Sequence, residues 1–204
     1  MSVKERRARE KEELRQEILD AARELFAKEG YQNVSMRKIA EMIDYSPTTI
    51  YLYFEDKNEL LSSICEETFA KLVKEFEDIV ASTSDPIEQL KRAGRAYVEF
   101  GLSHPNHYTV TFMGAGHPGH MEEHKFDYQG SMGEKCFLHL RAIVERCVRQ
   151  GKFRPLDLDA TSQALWAVVH GITSLLITHP LFPWVHKDQL VGQVINVMTA
   201  GLKV

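Results

Sequence analysis

The 204-residue chain has few cysteines, no long uninterrupted apolar run and no excess of positive charge. Its three cysteines form no C-x-x-C pair, which excludes a disulfide-rich scaffold and indicates reduced thiols inside a cell. Lys and Arg number 25 against 29 Asp and Glu, so the net charge is −4. Any binding of nucleic acid must therefore depend on a local surface rather than on the charge of the whole chain.

Neither a secretion signal nor a membrane span is expected from the sequence. The first residues are charged where a signal peptide would be apolar. The longest apolar stretch, residues 165–177, contains His170, Gly171, Thr173 and Ser174, and we interpret it as too short and too polar to cross a bilayer. We therefore expect a soluble, cytoplasmic protein without a membrane partner.

Helical periodicity extends over almost the whole chain. Apolar residues recur every three or four positions, strand-like alternation is almost absent, and caps and stops divide the sequence into about nine segments. The predicted fold is all-α, with an N-terminal three-helix domain and a larger C-terminal helical domain. We expect a basic arm over residues 1–11, the small domain over residues 12–58 and the larger domain over residues 59–204.

Two short helices separated by a tight turn follow the first long helix and form a candidate helix-turn-helix. Ser35 can cap the first of them, and Ser46 with Pro47 can start the second, which is predicted to run through Tyr53. The second helix offers hydroxyl and methyl groups to a DNA major groove. Residues 1–60 hold 11 basic and 13 acidic residues, so the pattern alone leaves a plain packed helical unit open as the alternative.

Residues 30–61, GYQNVSMRKIAEMIDYSPTTIYLYFEDKNELL, resemble the DNA-binding domain of the TetR family of transcriptional regulators. The matching features are Gly30-Tyr31, Ser35-x-Arg37-x-Ile39-Ala40, Ser46, Thr49-x-Tyr51-x-Tyr53-Phe54 and Lys57-x-x-Leu60. The resemblance implies that the second short helix enters the major groove and that Tyr51 and Lys57 hold phosphates. The implied DNA-binding residues are Ser35, Arg37, Lys38, Pro47, Thr48, Thr49, Tyr51, Leu52, Tyr53 and Lys57. Asp44 and Thr48 stand where the family often has glycine.

The remaining two-thirds of the chain resemble the C-terminal region of the same family, which implies a small-molecule site and a homodimer. Trp166-Ala-Val-Val-His170-Gly171 is similar to the signature of one subgroup. The candidate ligand-binding residues are Phe69, Tyr97, Phe100, Tyr108, Phe112, Met113, Phe137, Trp166 and His170. Such an apolar set suits an apolar or amphipathic ligand. Packing is the alternative role for Trp166, and a core hydrogen bond is the alternative role for His170.

The last two predicted helices are apolar on more than one face, so each must be buried on more than one side. Packing them against their copies predicts a four-helix dimer interface, which separates two DNA-reading helices by about one turn of DNA or slightly more. The predicted interface residues are Leu165, Val169, Ile172, Leu176, Val191, Val194, Ile195 and Met198.

A cluster of five histidines is the one feature that a helical regulator does not require. It comprises His104, His107, His117, His120 and His124. The spacing of the last three occurs in metal sites, but Pro118 and Gly119 interrupt any helix that could hold it. We interpret the cluster as a solvated loop, and a metal-responsive regulator is the alternative.

The leading hypothesis is a homodimeric repressor of adjacent genes that a small ligand releases from a palindromic operator. The expected partners are the double-stranded operator, the effector and a second copy of the chain, and no cofactor is expected. The sequence contains no Gly-rich phosphate loop, nucleophile elbow or H-E-x-x-H motif, so an enzyme is not expected. A helical enzyme and a helical interaction module are the remaining alternatives.

Overall fold

The computed structural model describes residues 2–113 and 128–204, and these residues form nine α-helices and no β-strand. The helices are α1 (Val3–Glu29), α2 (Met36–Met42), α3 (Pro47–Tyr51), α4 (Lys57–Ser82), α5 (Pro86–Ser103), α6 (Pro105–Tyr108), α7 (Met132–Arg149), α8 (Leu158–Thr178) and α9 (Lys187–Ala200). A 3₁₀ turn, Tyr31–Asn33, follows α1, and α6 continues as a π-helical turn, Thr109–Met113. The predicted all-α fold is confirmed.

Polar side chains cap the helices at positions where the sequence predicts caps. Ser35 Oγ accepts the Lys38 N–H at the start of α2, and Ser46 Oγ accepts the Thr49 N–H at the start of α3, both at 3.2 Å. Gly30 ends α1 with a φ of 81°, a conformation that glycine adopts without strain. The boundaries of these helices thus follow from local sequence.

Residues 3–11, predicted as a basic arm, are the first turns of α1. Ser2 and Glu5 form a reciprocal capping box, in which the Ser2 N–H donates to Glu5 Oε2 at 2.7 Å. Arg6 and Glu10 pair one turn apart at 3.5 Å, a spacing that favours helix. The alternation of acids and bases therefore extends the helix to the start of the described chain.

Backbone contacts divide the chain into two compact units. The N-terminal unit contains the described residues 2–68 and 106–113, and the C-terminal unit contains residues 69–105 and 128–204. The N-terminal unit therefore includes the π-helical turn, whereas the sequence predicts that this turn belongs to a larger domain beginning at residue 59. Val110 in this turn is buried in one core with α1, α2, α3 and the start of α4.

Helix α5 is central in the C-terminal unit, where it packs against α7, α8 and α9. Gly94 of α5 lies beside Ile195 of α9 and Val169 of α8, where a Cβ would be at ordinary contact distances of 3.6 and 3.7 Å. Gln89 on the same helix accepts a hydrogen bond from Arg146 of α7 at 2.7 Å. The apolar face of α5 therefore holds the C-terminal unit together.

Helix α8 is longer than the apolar stretch identified in the sequence. Asp157 caps it by accepting the Ala160 N–H at 2.8 Å, so the helix begins at Leu158 and runs for 21 residues. By length and composition alone it could cross a membrane, and 28% of its most apolar window is buried inside the chain. Much of the apolar surface of α8 is thus left uncovered by the chain itself.

Candidate DNA-binding and ligand-binding sites

The two short helices of the candidate helix-turn-helix are held by a fully buried core. Ile39 and Ala40 of α2 and Ile50 of α3 have no exposed surface, and they pack with Ile18 and Leu19 of α1. The small side chain of Ala40 allows α2 and α3 to approach closely. This core fixes one face of α3 and leaves the opposite face at the surface.

The turn between α2 and α3 is a Schellman-type helix end built around Asp44. The Tyr45 N–H donates to the Ala40 carbonyl at 2.9 Å, and the Asp44 N–H donates to the Glu41 carbonyl at 3.4 Å. Asp44 has a φ of 56°, so it holds the left-handed conformation for which glycine is favoured. An aspartate thus fills the turn where the resembling family often has glycine.

Helix α3 ends at Tyr51, two residues earlier than predicted. The N–H groups of both Tyr53 and Phe54 donate to the Ile50 carbonyl, at 2.9 and 3.1 Å, which tightens the last turn and stops the helix. Leu52 still has helical backbone angles. The helical surface offered to a groove therefore extends from Pro47 to Leu52.

The outer face of this segment carries Thr48, Tyr51 and Leu52. Tyr51 is 54% exposed and Leu52 is 75% exposed. The side chains of Thr49 and Tyr53 are instead engaged in contacts within the protein. The Thr49 hydroxyl lies 2.9 Å from Ser46 Oγ, and the half-buried Tyr53 ring has the Lys11 ammonium 6.0 Å from its centre.

The two basic residues of α2 are placed differently. Arg37 is exposed, and its Nε–H donates to Glu41 Oε1 at 2.8 Å, one turn along the same helix. Lys38 instead pairs with Glu29 at the end of α1. Arg37 is therefore better placed than Lys38 to reach DNA.

The ammonium of Lys57 is held inside the N-terminal unit. It donates to the carbonyls of Tyr31 at 2.7 Å and Val34 at 2.9 Å, and it lies 4.1 Å from the centre of the Tyr31 ring. Burial lowers the pKa of Lys57 below its ordinary value. Lys57 thus ties the start of α4 to the loop before α2, a role that sequence reasoning missed because those carbonyls belong to a distant segment.

Two further residues at this surface were not identified from the sequence. Tyr45 is exposed in the turn before α3, next to the residues that would enter the groove. Glu41 orients Arg37, and the spacing of four residues on one helix was the available signal. The sequence signal for Tyr45 was an aromatic residue directly beside the predicted turn.

Six of the nine candidate ligand-binding residues lie in the C-terminal unit, and three of these form a polar chain. The Trp166 Nε1–H donates to Tyr97 Oη at 3.2 Å, and Tyr97 Oη lies 3.3 Å from His170 Nδ1. The Phe137 ring meets Trp166 edge-on with centroids 6.5 Å apart, and Phe69 contacts the start of α7 near Gly133.

The other candidates are distributed between the two units. Phe100 lies in the C-terminal unit, where it stacks on His104 with centroids 4.9 Å apart. Tyr108, Phe112 and Met113 belong to the N-terminal unit, and Tyr108 is fully buried with its ring 4.9 Å from that of Phe112. The polar chain and its aromatic neighbours are therefore the part of the predicted set that the C-terminal unit brings together.

Five of the eight predicted dimer-interface residues are buried within their own chain. They are Leu165, Val169, Ile172, Val191 and Ile195. They lie in the core of the C-terminal unit rather than at the surface, because α8 and α9 use these apolar stripes to pack against the other helices of that unit. Leu176, Val194 and Met198 are partly exposed.

A second apolar stripe of α8 and α9 remains at the surface. Val168 and Leu175 of α8 are 44% and 46% exposed, and Val197 of α9 is 61% exposed. A Cβ at Gly171, between Val168 and Leu175, would meet nothing within 4 Å. The exposed stripe therefore lies on a different face of α8 and α9 from the five buried residues of the predicted interface.

The described histidines form no metal site. In residues 2–113 and 128–204, no three His, Cys, Asp or Glu side chains gather as a metal-binding group. His107 lies 3.0 Å from Thr68 Oγ1, whose proton goes to the Ile64 carbonyl, so His107 Nδ1 is the donor. His117, His120 and His124 lie outside the described residues. The metal-responsive alternative receives no support.

The three cysteines are buried, which bears on the enzyme alternative. Burial raises the pKa of Cys65 and of Cys147 to about 11 and that of Cys136 to about 12. Their thiols are therefore protonated at neutral pH, whereas a nucleophilic cysteine requires a thiolate.

Two family descriptions match successive parts of the chain. Bacterial regulatory proteins of the tetR family match residues 18–64, and the tetracyclin repressor-like C-terminal domain matches residues 90–198, which is more than half of the chain. The HTH-type transcriptional repressor NicS of Pseudomonas putida is 26% identical over 148 residues, which cover 72% of this chain and 69% of NicS.

Relatives and solved structures agree with these matches. The HTH-type transcriptional repressor KstR2 of Mycobacterium tuberculosis is 25% identical over 146 residues, covering 71% of this chain and 72% of KstR2. The solved structure of KstR2, a ketosteroid transcriptional regulator, has a TM-score of 0.73 at 21% identity and covers 93% of this chain and 95% of its own.

A third similar protein is the fatty acid degradation regulator FadR from Bacillus halodurans. Its solved structure has a TM-score of 0.76 at 20% identity and covers 91% of this chain and 94% of its own. The relatives are regulators rather than enzymes. The chain therefore belongs to the TetR family and is a DNA-binding transcriptional regulator with a C-terminal ligand-binding domain.

Proposed function

We propose that the chain is a homodimeric repressor of adjacent genes, released from a palindromic operator by a small apolar or amphipathic ligand. The observation that carries the proposal is the outer face of α3. Exposed Thr48, Tyr51 and Leu52 stand on a helix whose other face is locked in the core by Ile50, and exposed Arg37 stands on the preceding helix. This arrangement suits insertion into a major groove.

The exposed stripe of α8 and α9 supports the homodimer. Val168, Leu175 and Val197 are large apolar side chains at the surface, and Gly171 leaves room for a second helix to approach. Burying such a stripe against its own copy gives a symmetric interface, which matches a palindromic operator. We place the dimer interface on this stripe, with Leu176, Val194 and Met198 at its edges.

The polar chain of Tyr97, Trp166 and His170 supports a ligand with one polar group on an apolar body. These side chains already satisfy one another, so a ligand must exchange these hydrogen bonds for its own. The aromatic surroundings, Phe137 among them, favour an apolar remainder. The names of KstR2 and FadR, a ketosteroid regulator and a fatty acid degradation regulator, agree with such a ligand class.

Release from DNA requires that the ligand bind the non-DNA-binding conformation more tightly than the other. By reciprocity, the operator weakens ligand binding by the same factor. As a regulator that binds operator DNA, the protein acts in the cytoplasm.

Fluorescence anisotropy with labelled duplexes tiled across the DNA upstream of the gene tests this proposal. We expect one palindromic duplex to bind tightly, with an affinity that falls steeply as salt is raised. Arg37→Ala should weaken binding, whereas Arg92→Ala, which removes the same kind of exposed pair four residues apart on α5, should not. If no duplex binds above background before or after extraction of bound small molecules, the repressor proposal is wrong.

Ligand release is tested on the same complex. Molecules extracted from the purified protein by organic solvent are identified by mass spectrometry and added back, with a steroid and a long-chain fatty acid as probes. We expect an apolar compound to dissociate the duplex, and Tyr97→Phe to shift the concentration needed. Release by polar metabolites alone would contradict the proposed ligand class.

A further inference from the structure

The segment that would enter the major groove lacks every side chain that reads bases through paired hydrogen bonds. Residues 45–54 read YSPTTIYLYF and contain no Arg, Lys, Asn, Gln, Asp or Glu. Bidentate recognition of guanine requires Arg or Lys, and bidentate recognition of adenine requires Asn or Gln. Helix α3 must therefore discriminate bases without bidentate hydrogen bonds.

Thr48 and Leu52 form the apolar part of the outer face. They are four residues apart on one helical segment, so their side chains lie on the same side of it. Both are exposed, whereas Ile50 on the opposite side is fully buried. A regulator that reads bases through bidentate hydrogen bonds would present an amide or a guanidinium on this face. Leu52 presents a branched apolar side chain instead.

Only one base presents an apolar group of matching size in the major groove, the C5-methyl of thymine. Burying a methyl against Leu52 and the Thr48 methyl removes apolar surface of both partners from water. The Thr49 hydroxyl is held by Ser46, so hydrogen bonding from α3 is further reduced.

We propose, resting on the operator-binding function above, that Thr48 and Leu52 are specificity-determining residues that read thymine methyl groups. Each operator half-site then carries thymines opposite the outer face of α3. Bidentate hydrogen bonds to bases then come from outside residues 45–54, and exposed Arg37 of α2 is the candidate to supply them.

The test removes the methyl groups from the DNA and leaves every base pair intact. Duplexes bound by the full-length protein are first selected from a random library, which supplies the probe. Each thymine of the selected half-site is then replaced singly by deoxyuridine, which keeps all donors and acceptors of thymine. We expect at least one position per half-site to lose about fourfold in affinity, the effect of one buried methyl or methylene.

Protein variants assign the effect to side chains. Each protein variant and each uridine replacement together form a double-mutant cycle between the side chain and the thymine methyl. In Leu52→Ala or Thr48→Ser, replacement of the contacted thymine should reduce affinity less than it does in the parent protein. Leu138→Ala, a half-exposed leucine of α7, should leave the uridine effect unchanged. Thermal unfolding of each variant confirms that the exposed substitutions leave the fold intact.

Two results would overturn the proposal while leaving the operator-binding function in place. One is a selected operator in which every uridine replacement is neutral. The other is a uridine effect that persists in full in both Leu52→Ala and Thr48→Ser. Failure of the operator-binding function itself looks different, since no duplex would then be enriched from the library.

Discussion

Asp44 shows how one residue fixes the angle between two helices. Its left-handed backbone, with a φ of 56°, closes the end of α2 and directs the chain into α3. Residues with a Cβ are disfavoured in this conformation, although aspartate tolerates it better than most. The position of the DNA-reading face thus depends on a locally strained residue.

Substitutions at position 44 test this strain. We expect Asp44→Gly to be at least as stable as the parent and about 1 kcal/mol more stable than Asp44→Ala, because alanine retains the Cβ but cannot form local hydrogen bonds. Urea unfolding at constant protein concentration measures the difference. Asp44→Asn controls for the lost charge, and equal stability of the glycine and alanine variants would contradict the assignment.

Lys57 and Tyr51, both predicted from the family resemblance to hold phosphates, should behave differently when changed. Lys57→Met leaves the carbonyls of Tyr31 and Val34 without their charged donor, so we expect a loss of about 1–2 kcal/mol in the free energy of unfolding. Exposed Tyr51→Phe should leave stability within about 0.5 kcal/mol and weaken DNA binding. Urea unfolding and anisotropy on the same samples separate the two roles, and unchanged stability of Lys57→Met would refute the structural one.

At the residue scale, sequence reasoning succeeds where the cause is local. Ser35 and Ser46 could be placed as N-caps because the N–H groups that they accept lie within four residues. The contacts of Lys57 could not be predicted, since they join segments 23 and 26 residues apart. Exposed DNA-reading residues were identified chiefly through the family resemblance.

At the scale of helices, a partly buried ion-pair network joins α1 to the first half of α4. Arg23 of α1, whose side chain is 8% exposed, contacts Glu67 of α4 at 3.2 Å, and Arg15 contacts the same carboxylate at 3.6 Å. Removing one member of such a network leaves the remaining charge without its partner. The network therefore holds α4 in a fixed register against the scaffold helix of the N-terminal unit.

Glu67→Gln tests the network. We expect a loss of about 1–2 kcal/mol in the free energy of unfolding, below the range for a fully buried pair because Asp20 still pairs with Arg23. Glu10→Gln, which removes an exposed pair with Arg6 on the same α1, should change stability by less than about 0.5 kcal/mol. Equal losses in the free energy of unfolding for the two substitutions would show that the ion pairs of Glu67 stabilise the fold no more than an exposed pair does.

Helix number, order and most boundaries follow from periodicity and caps, but the orientation of a helix does not. Helix α8 is apolar on two sides, and sequence alone gives no rule for which side faces α5. The regular stripe of Leu165, Val169 and Ile172 fills the core, and the less regular stripe of Val168 and Leu175 remains exposed. Tertiary packing, which the pattern does not encode, decides between them.

For the whole molecule, the exposed stripe of α8 predicts how assembly can be broken without unfolding the chain. The double variant Val168→Glu with Leu175→Glu places two carboxylates in the proposed interface, where their desolvation is costly. We expect a folded monomer by light scattering and circular dichroism, with operator affinity reduced at least tenfold because one half-site is lost.

Leu138→Glu is the matched control for this prediction. Leu138 is a leucine of α7 with 50% exposure, and it lies outside α8 and α9. It should leave both the mass in solution and the operator affinity unchanged. A dimer that survives the double variant on α8 would move the interface to another surface.

The π-helical turn after α6 limits how DNA-binding parts can be exchanged between regulators. Val110 is buried in the same core as Ile39 and Ile50, and His107 bonds to Thr68 at the end of the α4 segment that belongs to this unit. A chimera cut after residue 58 would replace Leu60, Leu61, Ile64 and Val110, all buried in this core, with side chains of another regulator. A transplant that keeps residues 106–113 with residues 2–68 retains the complete core. Modularity in this fold is thus a property of a discontinuous stretch of chain, not of its first sixty residues.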